Sequence, residues 1–117
     1  MIYTLTLNPA IDKMLYISTL KKNVTSRIKE TKTTIGGKGT HVSINLQLLG
    51  QPNGAFGFSH GKAGEEIIEI LQNYVVNVLF THYPQFESRT NYLLIEETGD
   101  WTVVAEKGVP LSDKHLN

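Results

Sequence analysis

The spacing of apolar residues changes several times along this chain, and each change marks an element. Ile2 to Leu7 alternates β-branched, aromatic and leucine residues and stops at Asn8-Pro9, as a strand ending in a turn does. Met14 to Leu20 is a second short apolar stretch, and Arg27 to Ile35 alternates charged with β-branched residues, which suits a half-exposed strand. The period then lengthens. Val42, Leu46 and Leu49 share one helical face in a segment from Thr40 to Leu49, and Gly50 stands as its stop. Ile67, Leu71 and Tyr74 repeat that spacing in a second helix, Glu65 to Tyr74, whose opening Glu65 and Glu66 suit the positive end of the helix dipole. Gly54 to Phe58 and Val75 to Phe80 read as short buried strands. Thr90 to Ile95 and Trp101 to Ala105 are strands joined by the turn Glu97-Thr98-Gly99-Asp100. Ser112 is placed to cap a further helix toward His115, in a polar tail that runs to Asn117.

Strands therefore alternate with helices in the middle, while the flanks look like exposed antiparallel strands. This predicts an α/β fold: a mostly parallel sheet flanked by helices, plus a small antiparallel β-sheet. The strands of that small sheet are expected at about 14–20, 27–35, 90–95 and 101–105, with the α/β part taking the remainder of 1–117.

Composition narrows the chemistry. The 117 residues carry eleven basic and eleven acidic side chains, which argues against a nucleic-acid partner held by phosphate electrostatics. No run of like charge points to a membrane surface. There is no cysteine, so a disulfide scaffold and a zinc-thiolate site are excluded. The start, Met1-Ile2-Tyr3-Thr4-Leu5, lacks the basic and apolar regions of a signal peptide, and no stretch is long enough to span a bilayer. The expectation is a cytoplasmic protein without a membrane partner.

Three clusters carry candidate chemistry. Gly36-Gly37-Lys38-Gly39 precedes the first helix, so bare backbone N–H groups and a lysine stand where a helix N-terminus meets an anion or polar ligand. It is neither a Walker A loop nor a dinucleotide fingerprint, since the required glycine spacings are absent. A plain strand-to-helix turn is the alternative. Asp12 follows the Asn8-Pro9 turn, just past a strand end, where α/β sheets bind ligands and where a carboxylate can accept hydrogen bonds from sugar hydroxyls. A turn aspartate capping its own backbone is the alternative there. Arg89 heads an otherwise uncharged strand and is either a phosphate ligand or the partner of Glu87. Arg27 is a weaker case of the same kind. His41, His60, His82 and His115 show no metal-type spacing, and no Ser-His-Asp triad can be read.

Taken together, these segments are similar to a known family. Met1 to Asp12, and especially Asn8-Pro9-Ala10-Ile11-Asp12, resembles the opening of the ribokinase-like (PfkB-type) carbohydrate kinases, in particular the 1-phosphofructokinases and tagatose-6-phosphate kinases. Gly36-Gly37-Lys38-Gly39-Thr40-His41-Val42-Ser43 resembles that family's glycine-rich signature. Gly50, Gly57-Phe58-Ser59-His60-Gly61, Gly64-Glu65 and Ser88-Arg89-Thr90 follow in the right order, so the likeness covers nearly the whole chain. It implies a ribokinase-like fold whose small β-sheet is a lid that often pairs two subunits. It also implies transfer of the ATP γ-phosphoryl group, with Mg2+, to a hydroxyl of a ketohexose phosphate such as fructose 1-phosphate or tagatose 6-phosphate. Asp12 would hold sugar hydroxyls, Gly37, Lys38, Gly39 and His41 would line the sugar site, and Arg89 would bind the sugar's phosphate.

The departures from the family pattern set further expectations. His41 replaces a usual asparagine, and His60 replaces the first of two glycines, where a positive φ would cost about 1 kcal/mol or more. Glu106-Lys107-Gly108-Val109-Pro110 carries an inserted Val109. The family's Gly-x-Gly-Asp motif, with its catalytic aspartate and nucleotide site, lies far downstream, so the catalytic base is expected beyond Asn117. The chain is thus expected to hold the sugar site and lid, no catalytic base, no metal site and no tight ATP site. It is further expected to self-associate through lid strands or a cut sheet edge. A degenerate binding or dimerisation module is the alternative reading.

Overall fold

The computed structural model describes Met1 to Ser112. The helix expected from Ser112 toward His115 falls outside the described residues. So does Asn117, and the expectation of a catalytic base beyond it therefore has no counterpart among the described residues. In chain order the elements are β1 (Ile2–Thr6), β2 (Ala10–Tyr16), β3 (Glu30–Gly36), α1 (Lys38–Leu48), β4 (Asn53–His60), α2 (Gly61–Asn73), β5 (Asn77–Tyr83), β6 (Arg89–Ile95) and β7 (Trp101–Ala105). They form a three-stranded sheet in the order β1-β4-β5, parallel throughout, and a four-stranded sheet in the order β3-β2-β6-β7. This is the expected α/β architecture with a small second sheet, here called the lid.

The lid is mixed rather than antiparallel, because β2 and β6 run parallel. Both strands leave the same end of the parallel sheet, β2 from the Asn8-Pro9 turn and β6 from Ser88, so lying side by side they must point the same way. β2 also starts earlier than its apolar stretch suggests. The chain re-enters a strand at Ala10, directly after the buried Pro9, and the polar pair Asp12-Lys13 masks that start in the sequence.

One core joins the two sheets. Ile11 on β2 pairs with Ile35 on β3, and both are buried with Ala55, Ile67, Leu71 and Val76. The root of the lid is thereby plugged into the packing between the parallel sheet and α2, where Ile67 and Leu71 supply the buried stripe read from the sequence. Tyr74, the third residue of that stripe, is exposed.

α1 behaves differently. Its buried residues are Thr40 and Ser43, whereas Val42 and Leu49 on the expected apolar face are exposed. Small side chains let this helix lie close on the strands: Ser43 Oγ is 2.5 Å from Thr4 Oγ1, and Asn53 Nδ2 donates to the Ser43 carbonyl at 3.0 Å. Bulky residues at those positions would hold the helix off the sheet.

Two further features govern stability. Lys29 pairs with Glu97 across the far end of the lid, and this neighbouring ammonium holds the Glu97 carboxyl below its ordinary value of 4.5. The pair contributes stability at higher pH that is lost as pH falls through the lowered value. Both side chains are more than half exposed, so the effect is small. We expect Glu97→Gln to flatten the acid limb of a stability–pH curve slightly, and 0.5 M salt to do the same to the unmodified chain.

The second feature is the face of the parallel sheet away from the helices, where Tyr3, Leu5, Phe56 and Leu79 are exposed and the Tyr3 and Phe56 rings lie 5.5 Å apart. Parallel sheets are ordinarily covered on both faces. We therefore expect the folded chain to bind a hydrophobic dye such as ANS, and Leu5→Gln combined with Phe56→Gln to lower that fluorescence while leaving the far-UV circular dichroism intact.

Candidate functional site

Three segments meet at the carboxyl end of β1: the Asn8-Pro9 turn, the Gly36-Gly37 junction between β3 and α1, and Ser88-Arg89 entering β6. Gly37 has φ 117, a conformation that favours glycine, and its missing side chain faces Thr6, Thr40 and Pro9. Gly39 is a glycine for lack of space: a Cβ there would lie 2.2 Å from Thr6 Oγ1 and 2.8 Å from the Leu5 carbonyl oxygen. The first turn of α1 is thus pressed onto the end of β1. Thr40 locks the junction by donating its hydroxyl toward the carbonyls of Gly36 at 3.1 Å and Gly37 at 2.8 Å. Gly37 is the N-cap and offers no side chain, so among the described residues this turn has no side-chain cap hydrogen bond.

Asp12 does not sit in a turn past a strand end. It lies inside β2, in a cross-strand row with Thr34 on β3 and Asn91 on β6. Asn91 Nδ2 donates to Asp12 Oδ1 at 3.0 Å. On the other side the carboxylate rests on Gly36, where a Cβ would stand 2.8 Å from each of its oxygens. The turn-capping alternative is therefore excluded by position. Sequence reasoning singles out neither Asn91 nor Gly36 as a contact of Asp12. The only signal is an asparagine, a residue disfavoured in strands, at the third position of β6.

Arg89 lies two rows away, in Gly36–Ala10–Arg89, and its Nε donates to the Asn8 carbonyl at 3.1 Å. The pairing with Glu87 does not occur. That carboxylate instead accepts hydrogen bonds from the backbone N–H of Lys62, at 3.1 and 3.0 Å, and of Ala63, at 3.2 Å, and so caps α2. α2 begins at Gly61, so Glu65 and Glu66 lie beyond its first turn and the capping charge comes from the β5–β6 loop instead. A cleft of about 310 Å³ runs beside Arg89, between Glu87 and the segment Glu106-Lys107-Gly108.

Lys38 and His41 are exposed on the first turn of α1, three residues apart and hence on one side of it. Lys38 forms no ion pair among the described residues. Arg27 is exposed on the loop joining β2 to β3, at the opposite end of the lid strands from Arg89. The site end thus gathers Asp12, Gly37, Lys38, Gly39, His41 and Arg89, and leaves Arg27 aside.

His60 carries no backbone strain, so the cost that a positive φ would bring does not arise. Its φ is −136, and the positive φ falls on the next residue, Gly61, at 61. The His60 backbone is clasped by Ser88, whose Oγ accepts from the His60 N–H at 2.9 Å, and its ring stacks on Tyr83. A serine, a histidine and a glutamate do converge: Ser59 Oγ is 2.7 Å from His82 Nδ1, and His82 Nε2 is 3.8 Å from Glu65 Oε1. Ser59 is wholly buried, so no substrate reaches it and the trio is a packing network.

No family model matches the chain. Solved structures do. A Staphylococcus aureus protein assigned as a phosphofructokinase is 32% identical, with a TM-score of 0.87 over 97% of this chain and 36% of its own. Phosphofructokinase-2 from Escherichia coli, in complex with substrates and products, superposes with a TM-score of 0.90 and 24% identity over 98% of this chain and 38% of its own. A Methanocaldococcus jannaschii nucleoside kinase, an archaeal member of the ribokinase family, gives 0.73 and 14% over 92% of this chain and 36% of its own. The latter two bear on fold alone. The structures this chain matches are ribokinase-like, PfkB-type kinases. It forms the N-terminal part of their fold and spans little more than a third of the length of the relatives it matches.

The glycine junction yields a stability prediction. Gly39→Ala must push α1 off β1 against backbone, and we expect a loss of about 1–3 kcal/mol. Glu87→Ala, which uncaps α2, is expected to cost about 1 kcal/mol. Urea unfolding followed by circular dichroism measures both.

Proposed function

We propose that this chain is the sugar-binding and lid portion of a cytoplasmic, ATP-dependent sugar-phosphate kinase, with a ketohexose phosphate as the ligand of its site. The observation that carries the reading is the juxtaposition of a half-buried carboxylate, Asp12, with the uncapped first turn of α1 and the guanidinium of Arg89, all at the junction of lid and parallel sheet. A carboxylate accepts hydrogen bonds from sugar hydroxyls, while a guanidinium and free amides take a phosphate. The 32% identity to a protein assigned as a phosphofructokinase supports the same class.

In this proposal Asp12 anchors hydroxyls, Gly37 and Gly39 let the first turn of α1 seat on β1 so that its amides line the sugar site, and Lys38, His41 and Arg89 surround the phosphate end. The contribution to phosphoryl transfer is positioning of the acceptor. The catalytic base and the sites for ATP and Mg2+ would lie in the part of the relatives' length that this chain does not span. Among the described residues no group of three or more His, Asp or Glu side chains is placed to hold a metal ion, and no step is derived through either group. Among the same residues no helix is long and apolar enough to cross a membrane. The proposal includes a homodimer formed through the lid, supported by the exposed Trp101, Val103 and Val104 on its edge strand β7.

Calorimetric titration with fructose 6-phosphate and tagatose 6-phosphate at millimolar concentration tests the site. We expect binding that Asp12→Ala abolishes and that Arg89→Ala weakens at least about tenfold. Absence of binding by the unmodified chain overturns the reading. The 117-residue chain is expected to release no ADP from ATP in response to sugar phosphate. Light scattering over a concentration series tests the dimer, and a monomer at every concentration removes it.

A further inference from the structure

We infer that Asn91 is a positioning residue for the ligand site: its side-chain amide holds the Asp12 carboxylate in the orientation that receives sugar hydroxyls. The inference rests on the sugar-phosphate reading and adds a residue to it.

The physical case begins with what Asn91 costs the fold. Asparagine is disfavoured in strands, and Asn91 stands in β6 between Arg89-Thr90 and the apolar run Tyr92 to Ile95. Its Oδ1 is buried and has no hydrogen-bond partner among the described residues, which costs the fold the desolvation of that oxygen. The sheet alone does not call for an amide with a buried oxygen at this position. The one bond the amide makes among the described residues is the 3.0 Å donation from Nδ2 to Asp12 Oδ1. The amide cannot be turned the other way, because a carboxylate only accepts and would then face Oδ1.

The geometry shows what that bond accomplishes. Asp12 lies in a row between Thr34 and Asn91, and its two oxygens lie against Gly36, where any side chain would clash. The carboxylate is therefore fixed on two sides, by the bare backbone of β3 and by the amide from β6. Asn91 engages Oδ1 and leaves Oδ2 with no protein hydrogen bond among the described residues. A carboxylate with one oxygen tethered and the other open is a preorganised acceptor. Breaking local preference at a site, at a cost in stability, is where function is expected. Arg89 stands two residues earlier on the same strand, so β6 carries both the carboxylate's tether and the candidate phosphate ligand.

The test separates Asp12's sugar end from Arg89's phosphate end. Uniformly 15N-labelled 117-residue chain is titrated with fructose 6-phosphate and, separately, with inorganic phosphate, for the unmodified protein and for Asn91→Ala, Asn91→Asp and Asn91→Ser. Asn91→Asp keeps the shape and removes the donor; Asn91→Ser keeps a donor and loses the shape. We expect Asn91→Ala and Asn91→Asp to bind fructose 6-phosphate at least about tenfold more weakly and inorganic phosphate unchanged, with Asn91→Ser intermediate. Asn91→Asp binding fructose 6-phosphate like the unmodified chain overturns the inference alone. Equal weakening of both probes also overturns it, since that is the signature of a merely structural role. Absence of fructose 6-phosphate binding by the unmodified chain overturns the underlying sugar-site reading and the inference with it.

Discussion

The pairing of Ile11 with Ile35 is the contact on which the rest depends. These two side chains belong to the lid yet are buried in the core beneath α2. Burial of each is worth roughly 1.5–3 kcal/mol. Because side chains alternate along a strand, anchoring Ile11 inward sends Ala10 and Asp12 to the opposite face, and anchoring Ile35 does the same for Thr34 and Gly36. A slip of one residue in β2 would drive the Asp12 carboxylate into the core, at a cost of several kcal/mol. The register that seals the core is thus the register that builds the site.

A second constraint acts at the glycine junction. α1 approaches β1 so closely that Gly39 has no room for a methyl group, and its buried side is made of Thr40 and Ser43. Close approach brings the first turn of the helix beside the Asn8-Pro9 turn and Arg89. Of the helix's larger apolar residues only Ile44 packs against the core. Val42, Leu48 and Leu49 are exposed, together with the uncovered face of the parallel sheet around Leu5 and Phe56. A chain that matches little more than a third of its relatives' length exposes apolar surface that a doubly wound sheet ordinarily covers.

The loop between β5 and β6 shows how one segment serves both stability and site. Glu87 caps α2, Ser88 accepts from the His60 N–H, and Arg89 turns to the Asn8 carbonyl. Three consecutive side chains tie the parallel sheet, the helix and the lid together. The charge that a first-turn glutamate would normally supply arrives here from another element, so Glu87 is not available to neutralise Arg89.

Much of this is legible in the sequence. Period and turn chemistry determine β7, the Gly99 hairpin, the buried stripe of α2 and the α/β class. The glycine cluster and the lone arginine mark the candidate site, because positive φ and a guanidinium in an uncharged strand are local properties. Other features were decided only in three dimensions. The parallel pairing of β2 with β6, the inward face of α1, the partner of Glu87 and the clamp of Gly36 and Asn91 on Asp12 all join residues distant in sequence. A periodicity shows which residues share a face. It does not say whether the neighbouring backbone comes close enough to demand a threonine or glycine there instead of a leucine. That distance is set when Ile11 and Ile35 seat in the core, and the chemistry of the site follows from it.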